Sequence, residues 1–435
     1  MATLPSLPKF LCIPLGLSLL ALAGCGKIET SESTAPVAPA AAVASPAPKS
    51  ATPNSFDEVA AQLDPGGDFY LYLSTAQWLA KVSHGIDSLH DAVLTGSAAQ
   101  GVQYREQAEK GFALFKDIVL RSGVEDVSGF GASSFAVSPG IHRNKFFIHH
   151  YPDKGSGVIW SMCGKQPHAL TGLDFLPTDT AAAKFGDCDL AQLLNFVRQE
   201  INQSGTPAAK EAVTRWQTQF AGATGLQLDD VLASLNGSLG MVLTLDSSNT
   251  VMFPVRNGSA VIPAPRLALL FAVKNDLVFK QVDKILGGNP AVIKVDDPDL
   301  RMRTMPIPFF PALNLRPSVA QWNGFLVIAS DAQIIRQMIA VQKGAPGYKS
   351  TPDYLALSAG LPQQGNSFGV STVRFAATVR QVQNRIYASN PATPPKALLF
   401  QHWISAHQRM ANAFGVEVAM PNGWLTVSQM KFARP

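Results

Sequence analysis

LRPSVAQW-NG-FLVIAS, residues 315–330, predicts two short strands around Asn323-Gly324, and Asp331 directly after them is placed to cap a helix through Ile334, Ile335 and Met338. Asn-Gly is the strongest short hairpin signal, because a tight two-residue turn that matches strand twist needs positive φ at both central positions. A hairpin feeding straight into a capped helix favours antiparallel layers over a parallel sheet joined by crossovers.

The same pattern runs outward from this stretch in both directions. Ser55-Phe56-Asp57-Glu58 has the form of a capping box that opens a short helix ended by Asp64-Pro65-Gly66-Gly67. Residues 68–73 are a strand, and Ser74 or Thr75 caps a helix through Trp78, Leu79, Val82, Ile86 and Leu89. Residues 103–121 predict a second amphipathic helix. Residues 131–137 and 145–151 alternate as a hairpin around Ser138-Pro139-Gly140, and 157–163 reads as a further strand. The pattern recurs from Ala181. Helices are expected through Leu190, Leu193 and Val197, from Pro207 to Phe220, and from Phe279 to Leu286, with strands at 238–245 and 267–273. A partial third occurrence runs from Phe368 to a terminal hairpin around Pro421-Asn422-Gly423, with an amphipathic stretch from Leu398 to Ala413 before it. The expected fold is therefore α+β: antiparallel sheets with helices packed on one face, built from two to three divergent tandem repeats. The expected divisions are 55–175, an enlarged 176–364, and a partial 365–435 that completes the fold.

With 435 residues, 46% hydrophobic and 15% charged, the chain has ample material for a core and is not a disordered one. A net charge of +4, scattered along the sequence, excludes the basic face that nucleic-acid binding needs.

Residues 1–24 read as a secretion signal: Lys9, then an apolar run from Phe10 to Ala23 that suits a signal peptide and is short for a spanning helix. Its end, Leu22-Ala23-Gly24-Cys25, resembles the lipobox of bacterial lipoproteins. That resemblance implies diacylglyceryl attachment to the Cys25 thiol, cleavage before it and acylation of the new amino terminus, a set of chains that anchors stably where one would not. Gly26 in place of Asp resembles the outer-membrane default of such proteins, with the body facing the periplasm. Residues 31–54 are almost entirely Ala, Pro, Ser, Thr and Val, a tether that rises at most ~3 Å per residue. The body from 60 to 432 also resembles a class of uncharacterised, repeat-containing bacterial envelope proteins. Because that class has no settled activity, the resemblance implies architecture and no site.

Signals of chemistry are sparse. Gly365-Asn366-Ser367-Phe368-Gly369 matches a nucleophile-elbow string, but that device needs a strand before the serine and a helix after it. Here a turn precedes and a strand follows, so loop-to-strand entry is the favoured reading. None of the eight histidines falls in a zinc motif, and His149 and His150 are expected on opposite strand faces. Asp296-Asp297-Pro298-Asp299 lacks calcium-loop spacing and reads as a solvated turn. Cys163 and Cys188 are the body's cysteines, either bridged or separate. Met302 to Leu313 is apolar and broken by Pro306, Pro308 and Pro311. It is either an edge segment over the sheet or an exposed apolar contact loop led by Met305, Phe309 and Phe310.

The expected function is a non-catalytic binding or interaction module, anchored to the membrane through Cys25, with an envelope protein as partner and no cofactor or metal. The alternatives are a carrier of lipid or another apolar ligand and, less favoured, a hydrolase.

Overall fold

The computed structural model describes residues 55–75, 102–203, 207–255, 258–305, 316–388 and 410–432, with a few positions between 88 and 95. The leader, Cys25, the tether, the expected helix through Trp78 and Leu79, Phe309, Phe310 and most of 398–413 lie outside these residues.

The described chain begins with α1 (Phe56–Ala60), β1 (Phe69–Ser74), α2 (Val102–Arg121) and the hairpin β2 (Val127–Ser138) and β3 (Ile141–His150). After α3 (Val158–Ser161) and the short β4 (His168–Ala169) come β5 (Thr180–Asp187), α4 (Leu190–Gln203), α5 (Pro207–Thr224) and α6 (Leu228–Ser234). The long hairpin β6 (Leu235–Val255) and β7 (Gly258–Val273) follows, then α7 (Leu277–Leu286), β8 (Ile293–Asp297), β9 (Leu300–Thr304), β10 (Ser318–Trp322), β11 (Phe325–Ala329) and α8 (Ala332–Gln342). The chain closes with α9 (Pro352–Ser358), β12 (Gln364–Gly365), β13 (Ser367–Ser371), α10 (Val373–Ala388), β14 (Met410–Met420) and β15 (Gly423–Phe432).

Thirteen of these strands form one sheet in the order β1-β2-β3-β15-β14-β13-β5-β6-β7-β11-β10-β9-β8, while β12 pairs separately with β4. Its neighbours are antiparallel throughout. Three times a strand is followed by helix-bearing chain and then by a hairpin whose first strand pairs beside it: β1 with β2–β3, β5 with β6–β7, β13 with β14–β15. The last of these lies between the other two, joined by β15–β3 on one side and β13–β5 on the other.

Within that stretch, β10 and β11 pair as the expected hairpin around Asn323-Gly324. Asn323 and Gly324 take φ of 49° and 75°, and the Asp331 side chain accepts from the Gln333 N–H at the head of α8. On the front face of the sheet, Ile334, Ile335 and Met338 of α8 pack with Phe185, Leu270, Val327, Trp322, Phe368 and Phe414 in the main core. Strand alternation sends the neighbours of these residues the other way. There Leu326, Phe271 and Val319 meet Phe279 of α7, and the Arg301 and Arg303 guanidiniums stand 5.0 and 5.4 Å from the Phe279 ring centre. Helices therefore cover both faces, which corrects the expectation of a single helical face. The physical reason is visible in β11, where adjacent Leu326 and Val327 are both buried, in different clusters. A strand apolar at consecutive positions needs cover on both sides.

Two local expectations are also corrected. Residues 157–163 hold a helical turn, α3, instead of a strand. Gly157 sits so close to Gly123 that a Cβ would be 2.3 Å from the Gly123 Cα. The Trp160 indole N–H donates to the Gly123 carbonyl at 2.8 Å, and its ring packs 4.8 Å from that of Trp424, so docking overrides the strand preference of Val158, Ile159 and Trp160. The capping box at Ser55 does not form. Both of its side chains have tertiary partners instead, described below.

Candidate functional site

Where β13 lies between β5 and β14, Ser367 stands opposite Glu417 on one side and Gly186 on the other, with Lys184 diagonal to it. Alternation turns Ser367, Glu417 and Lys184 to the back face, away from Phe185, Phe368 and Val416. The Ser367 hydroxyl donates to Glu417 Oε2 at 2.8 Å, and the Lys184 ammonium donates to Ser367 Oγ at 2.7 Å and to Glu417 Oε2 at 3.4 Å. Gly186 makes room for this triangle, since a Cβ there would stand 2.7 Å from Ser367 Cβ.

Next to it, buried Asn366 uses its whole amide. Its Nδ2 donates to the Gln166 carbonyl at 2.9 Å and to Asp187 Oδ2 at 3.1 Å, while its Oδ1 accepts from the Ala419 N–H at 2.8 Å. His168 Nε2 lies 3.0 Å from Asp187 Oδ1. Burial works against protonating His168, but the Ala169 carbonyl and Asp187 outweigh it and raise the imidazole above its ordinary value. Cys163 and Cys188 flank the same junction as unbonded thiols in the structure. Burial, reinforced by Glu417, pushes the Cys163 thiol up to about 12, and burial also raises Cys188.

A second polar cluster lies at the ends of β1, β2 and β3. The pairing of β2 with β3 shifts register between Val127 and Gly129, leaving Ser128 as the extra residue of a bulge. The Ser128 Oγ reaches His149 Nδ1 at 2.5 Å, and His149 Nε2 bonds Glu58 of α1. In the neutral ring Nε2–H donates to the Glu58 carboxylate and Nδ1 accepts from the Ser128 hydroxyl, which also lies 3.2 Å from the His149 carbonyl. Burial holds the His149 pKa below its ordinary value, and the Glu58 carboxylate offsets this only in part. Ser55, the would-be helix cap, donates to the Ser128 carbonyl at 2.9 Å and lies 3.2 Å from the Tyr72 hydroxyl. Val59 and Leu63 press on Phe147 alongside.

The two clusters differ in what they can do chemically. Ser367 is placed between a cation and a carboxylate and opens a strand, without the strand-turn-helix setting of an elbow nucleophile. The hydroxyl–imidazole–carboxylate run at His149 has the connectivity of a proton relay, yet its ring is fully buried and presents no face to a substrate.

The structure brings together neither Asp296 nor its neighbours as a ligand set: Asp276 pairs with Arg301 at 2.8 Å, and Asp283 and Asp296 pair with Arg303 at 2.5 and 2.8 Å. Among the described residues no group of three or more His, Cys, Asp or Glu comes together to hold a metal. Met305 is half-buried, its N–H donating to the Pro317 carbonyl at 2.8 Å, at the end of the described part of the apolar loop. A cavity of about 180 Å³ lies between the 3-10 turn Thr171–Phe175 and α9, lined by Leu170, Asp174, Lys349, Tyr354 and Phe414 among others. It is smaller than the ~300–1,000 Å³ of usual ligand sites.

Sequence reasoning missed both clusters. The only advance signal was polar residues within apolar strands, and the partners lie 50, 91 and 183 positions apart in sequence. Fold and site together define an α+β protein with a single wide antiparallel sheet and two polar clusters that tie its segments together. No family model matches the chain, and no curated protein and no solved structure matches it.

Proposed function

We propose that the chain is a lipid-anchored protein of the cell envelope, with its body standing off the outer membrane on the 31–54 tether and acting as an interaction module. The observation that carries this reading is Leu22-Ala23-Gly24-Cys25, at the end of an apolar run and ahead of an Ala/Pro-rich linker. Among the described residues no helix is long and apolar enough to cross a membrane, which is compatible with anchoring by acyl chains. We further read the three strand–helix–hairpin passages as divergent tandem repeats.

The two sheet edges support an interaction role. β8 carries Lys294, Asp296 and Asp297, charges of the kind that protect an edge from pairing. β1, Phe69-Tyr-Leu-Tyr-Leu-Ser74, has none, leaves Tyr70, Leu71 and Leu73 exposed, and among the described residues has no strand on its outer side. Such an edge accepts an extended segment of another envelope protein.

Membrane fractionation tests the anchor. The Cys25→Ser chain is expected to leave the membrane fraction while its body keeps its circular dichroism spectrum. Retention after a salt wash would contradict the anchor. Crosslinking of membranes tests the module: a reproducible partner is expected, and it should be lost in Leu71→Lys. Recovery unchanged by that substitution would exclude the β1 edge.

A further inference from the structure

The two body cysteines lie on segments that run side by side. The Asp189 N–H donates to the Met162 carbonyl at 2.8 Å. Two positions along, Gly164 packs so tightly on Asp187 that a Cβ would stand 2.1 Å from Asp187 Oδ2. Cys163 and Cys188 each lie one residue from this hydrogen bond, on two segments in direct contact. A disulfide needs a Cα separation of roughly 4.4–6.8 Å, which segments joined by this hydrogen bond can reach. With Cys12 and Cys25 in the leader and at the anchor, the folded body holds no other thiol to compete.

We propose that Cys163 and Cys188 are a disulfide site that staples the chain leaving α3 to the chain leaving β5. The oxidant is the disulfide of another thiol compound: a small disulfide or a dithiol oxidase of an oxidising compartment. One cysteine thiolate attacks that disulfide and forms a mixed disulfide, releasing the first oxidant thiol. The second cysteine thiolate then attacks the protein sulfur of the mixed disulfide, releasing the second. Two electrons and two hydrogens pass from the protein to the oxidant, and one S–S bond is made for the one broken.

The bridge closes the loop from 163 to 188, which carries α3's exit, β4 and the whole of β5. It locks this loop beside the Lys184–Ser367–Glu417 triangle and the Asn366–Asp187–His168 contacts, where the first and last stretches of the body meet the middle one. In the folded chain both thiols are raised by burial, so neither is readily a thiolate and exchange is slow once the fold has closed. The bridge is therefore set as the chain folds in its compartment. The cellular half of this proposal rests on the envelope reading; the geometry does not.

The test uses the full chain carrying Cys12→Ser and Cys25→Ser, so that Cys163 and Cys188 are its only thiols. The reduced chain is refolded with oxidised glutathione, then denatured and treated with an alkylating agent. The expected result is that neither cysteine is alkylated, that mass mapping finds the two peptides joined with two hydrogens lost, and that Tm rises by about 5 °C over the reduced form. The rise should be absent in Cys163→Ser and Cys188→Ser. Alkylation of both residues, or glutathione on each without a joined pair, would overturn the site. A bridge formed in the purified chain together with free thiols in the cell upholds the site and counts against the envelope placement.

Discussion

The two polar clusters tie the same sheet together in opposite ways. At Ser128–His149–Glu58 a neutral, fully buried imidazole links a bulged strand to α1, the first described element. At Lys184–Ser367–Glu417 two opposite charges, each about a quarter exposed, close a triangle across three strands. The first attaches the N-terminal end of the described residues. The second fixes the register of the C-terminal strands against the middle ones. A buried imidazole contributes through shape and two directed hydrogen bonds, and it responds to proton concentration. A half-buried ion pair contributes through charge and is weakened by salt.

Substitution should separate them. His149→Ala empties a buried site and strands two polar partners, so a loss of about 2–4 kcal/mol is expected by urea denaturation. Glu417→Ala leaves the Lys184 ammonium without its carboxylate and the Ser367 hydroxyl without an acceptor, with a loss of roughly 1–3 kcal/mol that should shrink in high salt. If high salt reduced the His149→Ala loss just as much, the contrast between the clusters would fail. Glu58→Gln keeps a hydrogen-bond partner on a half-exposed residue, and should cost about 1 kcal/mol or less.

The pH response sharpens the same contrast. Burial sets the folded-state pKa of His149 below its ordinary 6.5. As pH falls through that ordinary value, the unfolded chain takes up a proton that the folded chain refuses, so this group's contribution to stability is complete above it and declines on acidification. The urea midpoint of the wild-type chain should therefore fall more steeply on acidification than that of His149→Gln. Parallel pH curves would place the acid response elsewhere.

Local chemistry made parts of this molecule legible in advance. Asn323-Gly324, Asp331 and Pro421-Asn422-Gly423 carry turn and cap chemistry that acts within a few residues, and each folds as read. Ser55 and Glu58 show where such reading stops. A capping box satisfies backbone donors locally, but here Tyr72, Ser128 and His149 take both side chains. Trp160 shows the same for the strand expected at 157–163. The placement of β13–β15 between the first and middle stretches was not legible either, since nothing local in β3 or β5 names β15 or β13 as its neighbour. The site clusters were hidden for that reason: Lys184, Ser367 and Glu417 meet only once those strands are side by side. The helices on both faces were legible in principle, from consecutive apolar residues such as 325–328.

Cys25 carries the proposed anchor. Mass spectrometry of the amino-terminal peptide of the mature chain tests it directly. The expected peptide begins at Cys25, carries a diacylglyceryl thioether on its sulfur and an acyl group on its nitrogen, and comes from the membrane fraction. A chain that still begins at Met1, or one with an unmodified Cys25 thiol in the soluble fraction, would contradict the account.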